Sequence, residues 1–334
     1  MNKIFYILPL LILGFVFPVS SHALTLKIAT LAPAGTNWMK IMKKGAKAIK
    51  QKTSNRVKIK FYPGGVMGND QSVHRKIRIN QLQGGAFSSS GMSPVDPSIQ
   101  VLSLPMVFKS FEEVDYVRQV MDEKVKQHVA KKGFVILGIS EGGFARIMSN
   151  KVINNIQDIR NSKVWIPEGD ELVFETFKTM GISPIPLPLS DVFTGLQTGL
   201  IETIATTSTG AIAFQWHTKL THMVDIPVLY VIGILAVKQK AFNKIKTEDQ
   251  QIVIDEMNKA FATLEKINRK DNINATAALK TQGMQVMNPE ADEVKLWKDF
   301  SDTSIQNMIN KGMIDKVLTD EIDNLLTEFR STTH

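Results

Sequence analysis

The 334-residue chain contains no cysteine. That excludes disulfides, a catalytic thiol, cysteine-ligated metals and lipid attachment at an N-terminal cysteine. Histidine is scarce, with 6 in the whole chain. His217 and His222 stand five apart, which does not place them on one helical face, and neither belongs to an H-E-x-x-H pattern. G-x-S-x-G, Walker and G-x-G-x-x-G sequences are lacking as well. No nucleophile with its base, no metal set and no phosphate loop emerges, so the chain is expected to be no enzyme and to need no cofactor. Beyond the first two dozen residues no apolar run could cross a bilayer; the longest, from Pro227 to Val237, is too short. The formal net charge of +8 comes without a zinc-knuckle spacing, an RNP-like aromatic pattern or a basic arm, so nucleic acid is not an expected partner.

What is present describes an ordinary globular protein, with 43% hydrophobic and 22% charged residues and enough length for two domains with cores of their own. The N-terminus reads as an export signal. Lys3 is a short positive region, Ile4 to Val19 is apolar and interrupted by Gly14 and Pro18, and Ser21-His22-Ala23 is a small-x-small cleavage site. Cleavage after Ala23 would leave a protein starting Leu24-Thr25-Leu26 in an extracytoplasmic compartment.

Leu24 to Ala29 alternates as a first strand. A helix capped by Thr36 or Asn37 follows, with Trp38, Ile41, Met42, Gly45 and Ile49 on one face and five lysines (Lys40, Lys43, Lys44, Lys47, Lys50) on the other, a solvated surface. Val57 to Tyr62 is a second strand turned by Pro63-Gly64-Gly65, and Asn69 or Asp70 caps the next helix. Gly84 to Gly91 is a strand end rich in small hydroxyls. Phe134 to Ile139 is a buried strand leading to Glu141-Gly142-Gly143-Phe144-Ala145, expected to be hinge and cleft together. Residues 227–237 read as the return crossing strand. Thr247 to about Gly283 is helical, with Ile252, Val253, Met257, Phe261, Leu264 and Ile267 at three- and four-residue spacing, and further helix follows to Phe329.

The chain is organised around residues 158–216, a strand–helix–strand–helix–strand unit. Lys163-Val164-Trp165-Ile166 runs into the turn Pro167-Glu168-Gly169-Asp170. Gly181 closes the first helix, Ser190 is the expected cap of the second and Gly199 its stop. Ile201 to Ala205 then ends in Thr206-Thr207-Ser208-Thr209-Gly210. Open α/β sheets meet ligands at the carboxyl ends of strands, which puts Trp165 with its turn and the threonine run where a ligand would be.

The order of these segments resembles the substrate-binding subunit of tripartite ATP-independent periplasmic (TRAP) transporters, the dicarboxylate-binding-protein family. Phe61 to Gly65, Leu104 to Phe108, and Gly143 with Ser149-Asn150 add matches in family order over nearly the whole chain after the leader. The resemblance implies a periplasmic protein with a two-lobed α/β fold of type II-like substrate-binding proteins, crossing hinge strands, and a helical C-terminal part spanning both lobes. Lobe I is expected over residues 24–140 plus 226–260, and lobe II over 141–225 plus 261–334. It also implies a small-molecule ligand and two integral membrane partners, one small and one large.

Acid-binding members of that family hold the substrate carboxylate with an arginine in a K-Φ-R-Φ-P strand. Here Trp165 stands at the arginine's place. A second family arginine falls on Ala145, with Arg146 one residue on and turned to the opposite face, and a helping asparagine falls on Thr206. Losing a buried charge-assisted pair is worth roughly 2–5 kcal/mol of binding, while an indole adds apolar surface. The expected ligand is therefore neutral, aromatic or lipid-like. The alternatives are an organic acid held by Arg146 or another arginine such as Arg75, or a carrier or sensor of hydrophobic ligands. The expected ligand-binding residues are Trp165, Thr206, Phe144, Ala145, Asn69, Ser88, Phe108, Trp38, Glu168 and Trp216.

Overall fold

Two short-range signals, alternation and capping, account for most of the elements seen in the computed structural model, which describes residues 23–332. The expected leader lies, apart from Ala23, outside the described residues. Strands β1 (Leu24–Thr30), β2 (Val57–Tyr62) and β3 (Gly84–Ser88) are parallel neighbours in the order β2-β1-β3. Between them run helices α1 (Asn37–Lys52) and α2 (Asp70–Arg78). Thr36 and Asn69 cap these two by accepting hydrogen bonds from Met39 N and Ser72 N. A single turn of helix, α3 (Ser89–Met92), closes β3, and the long α4 (Phe111–Lys131) leads to β4.

The hinge is built by β4 (Phe134–Ser149), 16 residues long. Its first part pairs antiparallel with β9 (Leu229–Lys238), which lies against β3. Its last residues leave that sheet and pair antiparallel with β7 (Thr203–Thr206) and β8 (His222–Val224). The pairing with β9 shifts register twice, between Ile136 and Gly138 and between Glu141 and Gly143. Gly143 there has φ +96°, a backbone that favours glycine. The expected crossing strands are thus present, and the segment Glu141–Ala145 lies within β4, with Glu141 and Gly142 at the cavity.

Around β7 lie α5 (Ile156–Arg160), the parallel pair β5 (Trp165–Pro167) and β6 (Ile185–Leu187), α6 (Glu171–Thr179), α7 (Val192–Thr198) and α8 (Ser208–Ala213). Gly199 ends α7 in the left-handed conformation, φ +71°, as expected of a C-terminal glycine. Ser190 does not cap α7: its hydroxyl donates to Asp191 Oδ1, and Asp191 is the cap residue, without a side-chain hydrogen bond. The threonine run is also more than a strand end, since Thr207 caps α8 by accepting from Gly210 N.

After β9 and the short α9 (Gln239–Phe242), the helix α10 (Thr247–Thr281) runs for 35 residues and packs on α1, on β4 and on α8, so it spans both sheets. Strand β10 (Gln285–Met287) joins β8 in parallel. Helix α11 (Ala291–Asn310) packs on α6. Helix α12 (Lys316–Thr332) returns to α4, burying Leu318, Ile322 and Leu326 with Val114, Val117 and Met121. Its apolar stripe therefore sits with the first sheet and not with residues 141–225, to which the tail was assigned. No described helix is long and apolar enough to cross a membrane.

Candidate functional site

A cavity of about 500 Å³ lies where the strand ends of the two sheets face one another. That is ample for a small organic ligand. Five helix caps line it: Thr36, Asn69, Ser88, Asp170 and Thr207. Each cap sits there because a helix begins where a strand ends, which brings short polar side chains to the mouth.

Seven of the ten expected residues line the cavity: Trp38, Asn69, Ser88, Trp165, Glu168, Thr206 and Trp216. Trp165 is 4% exposed and donates from Nε1 to Leu187 O at 3.0 Å, fixing the indole plane. Trp216 meets it edge to face with ring centroids 5.7 Å apart, and Phe214 stacks on Trp216 at 4.9 Å. On the opposite side, Trp38 packs edge to face on Phe61 and Phe87 stacks on His74 at 4.6 Å. Asn69 Nδ2 donates across the cleft to Glu168 Oε2 at 3.5 Å.

Three expected residues are not in the lining. Phe108 is core, edge to face with Tyr230 at 5.9 Å. Phe144 packs between Phe111 and Tyr230 in the same cluster. Ala145 is 1% exposed and paired with Leu229 on β9. Phe108 precedes α4 and packs in the core of the first sheet, while the register shift after Glu141 sets which faces Phe144 and Ala145 present, both of them buried. Both arginines weighed as substitutes lie outside the lining in this structure. Arg146 Nε donates to Asp225 Oδ1 at 2.8 Å, and Arg75 bonds to Ser72 Oγ.

Sequence reading missed the electrostatic character of the site. The lining holds Asp70, Glu141, Glu168, Asp170 and Asp271 and, among the described residues, no lysine, arginine or histidine. Burial pushes the Asp70 carboxyl up to about 6. Burial does the same for Asp170, up to about 6, against hydrogen bonds from Val173 N, Ser90 and Gln100. Glu141 is raised by burial and pulled back by Arg269, whose Nη2 donates to it at 2.8 Å. Asn268 and Asp271 reach the site from α10, more than 50 residues beyond Trp216 in sequence; their polar character on a helix gives no local sign of that placement.

Comparison with known proteins places these features in a family context. The model of the DctP family, bacterial extracellular solute-binding protein family 7, matches residues 28–312. The 2,3-diketo-L-gulonate-binding periplasmic protein YiaO of Escherichia coli is 24% identical over 282 residues, 79% of this chain and 80% of YiaO. The sialic acid-binding periplasmic protein SiaP of Vibrio cholerae is 22% identical over 86% of this chain and 92% of SiaP. The sugar acid binding protein DctPAm from Advenella mimigardefordensis, in complex with galactonate, superposes with a TM-score of 0.84 at 17% identity, covering 92% of this chain and 98% of that one.

Proposed function

Because the chain belongs to the DctP family of bacterial extracellular solute-binding proteins, we propose that it is the periplasmic solute-capturing subunit of a TRAP transporter. Its two sheets close over one ligand, and the closed state is read by a small and a large membrane subunit. Export by the leader with cleavage after Ala23 belongs to the same reading.

For the ligand, the relatives favour the second expectation, an organic acid: YiaO, SiaP and DctPAm are all named for acids. They lend no support to a neutral or lipid-like ligand. The cavity itself favours the first expectation. One observation carries it: five carboxylates and no lining cation surround a mainly apolar space walled by Trp38, Phe87, Trp165 and Trp216. A buried carboxylate brought into that field would meet like charge and only neutral donors from hydroxyls and helix ends. The lining thus leans toward apolar surface and neutral hydrogen bonding, while the relatives support an organic acid, and the organic acid is the better supported of the two.

Thermal melting against two panels, small carboxylates and neutral aromatic or acyl compounds, tests this directly. A ligand at about 1,000 times its dissociation constant stabilises by roughly 4 kcal/mol, a shift of several degrees. Shifts confined to the neutral panel, with carboxylate binding gained by Trp165→Arg, would carry the lining's reading against that of the relatives. A shift with succinate or galactonate in the native protein overturns the neutral reading and leaves solute capture standing.

A further inference from the structure

We infer that the cavity has a second, dry arm that takes the apolar tail of an amphipathic ligand, whose polar head stays at the strand ends. The inference rests on the chain being a solute-binding subunit, but not on the charge of the ligand's head.

The lining divides by chemistry. At the strand ends the polar groups Thr36, Asn69, Asp70, Ser88, Thr206 and Thr207 gather among the aromatic walls. Beyond Asp170 it continues into the second lobe between α6 and α11, where Met106, Ile147, Ile159, Phe177, Met180 and Trp297 form its wall. These six belong to one apolar cluster and carry no charge. The two hydroxyls in this part are already spent. Thr176 Oγ1 donates to Leu172 O at 2.9 Å and Ser301 Oγ to Trp297 O at 2.9 Å, each one turn back along its own helix. The Trp297 indole N–H donates to Glu293 Oε2 at 3.1 Å. No side-chain donor of these residues is left for a ligand. A hydrogen-bond acceptor entering the arm would lose its water without a side-chain donor to replace it, whereas a methylene chain or a flat ring would lose nothing.

The size agrees with this division. About 500 Å³ exceeds what a four-carbon acid fills, and the polar end alone accounts for the head of such a ligand. The side chains that would meet a tail include Met106 and Met180, whose unbranched thioethers adjust to irregular apolar shapes. Met106 is held in place by its own backbone, φ +52°, with its N–H donating to Val228 O at 3.0 Å.

The test is a chain-length series read by thermal melting and by tryptophan fluorescence titration of the mature protein. Two homologous sets, n-alkanoates and n-alkanamides of four to ten carbons, separate the tail from the charge of the head. In at least one set, affinity should rise about four-fold per added methylene until the arm is full. Ser301→Leu, which fills the arm, should move the optimum to shorter chains, and Met180→Ala, which widens it, to longer ones. If Ser301→Leu does not fold, Met180→Ala and the native series carry the test.

Length-independent affinity in both sets overturns the arm. Chain-length dependence in the alkanoates alone supports the arm and overturns the neutral-head reading. Binding of succinate or galactonate, with no alkanoate or alkanamide bound at any length, overturns the arm while leaving solute capture intact.

Discussion

Arg269, near the middle of α10, donates from Nη2 to Glu141 Oε2 at 2.8 Å, and the Glu141 side chain is fully buried at the second register break of the hinge strand. The same guanidinium pairs with Asp115 of α4 and lies over the Phe111 ring at 4.7 Å. Asn268, the residue before it, donates to Glu141 O. One helix thus holds the hinge strand to the first lobe while the same turn, at Asn268 and Asp271, reaches the cavity.

Removing that cation leaves a buried carboxylate unpaired. Arg269→Met should cost about 3–5 kcal/mol in urea unfolding at pH 8. The loss should shrink at pH 5, because Glu141, already raised by burial, then takes up a proton. Adding Glu141→Gln should restore part of the stability at pH 8, since no charge then remains buried alone.

Asp70 and Asp170 set the pH dependence of the cavity wall. Both hold a proton more tightly in the fold, with carboxyls raised to about 6. Their contribution to stability is therefore full below about pH 4 and is lost as pH rises to about 6. Asp70→Asn should melt a few degrees above the native protein at pH 8, and the gap should close at pH 4. Scanning both proteins at the two pH values checks the sign.

Trp165→Phe keeps a ring against Trp216 but loses the hydrogen bond to Leu187 O. A buried bond of this kind contributes about 1 kcal/mol, and its loss leaves the carbonyl short of a donor. The variant should fold, with unfolding free energy lower by about 1–3 kcal/mol. Binding of any neutral ligand should weaken by about ten-fold as the wall recedes.

Arg146 is expected to matter little. Its bond to Asp225 is partly exposed, and such pairs are worth about 0–1 kcal/mol. Arg146→Ala should change ligand affinity less than two-fold by titration. A large loss would show that Arg146 leaves Asp225 to anchor an acid.

Gly143→Ala tests the hinge backbone. A methyl there would stand 2.3 Å from Asn272 Nδ2, on a backbone with φ +96°. Asn272 itself donates to Gly142 O at 2.8 Å. The strain and the displaced amide should lower stability by about 1–3 kcal/mol, measured by urea unfolding.

By itself the sequence determined the local elements and the family. Alternation wrote β1 and β2, while Thr36 and Asn69 at their caps and Gly199 at its stop wrote helix ends, because these depend on neighbours within a turn. The same signals put Trp165, Thr206, Asn69 and Ser88 at strand ends, and so in the cavity. Tertiary structure decided which remaining side chains face it. Phe144 packs in the core with Phe111 and Tyr230, and Ala145 is buried in its pairing with β9. Asp225, 79 positions from Arg146, took that arginine's charge. Helices α10 and α11 brought Asn268, Asp271, Trp297 and Ser301 to a wall whose other residues lie far away in sequence. Facing and charge pairing are set by contacts between distant segments, and periodicity within one segment carries no record of its partner.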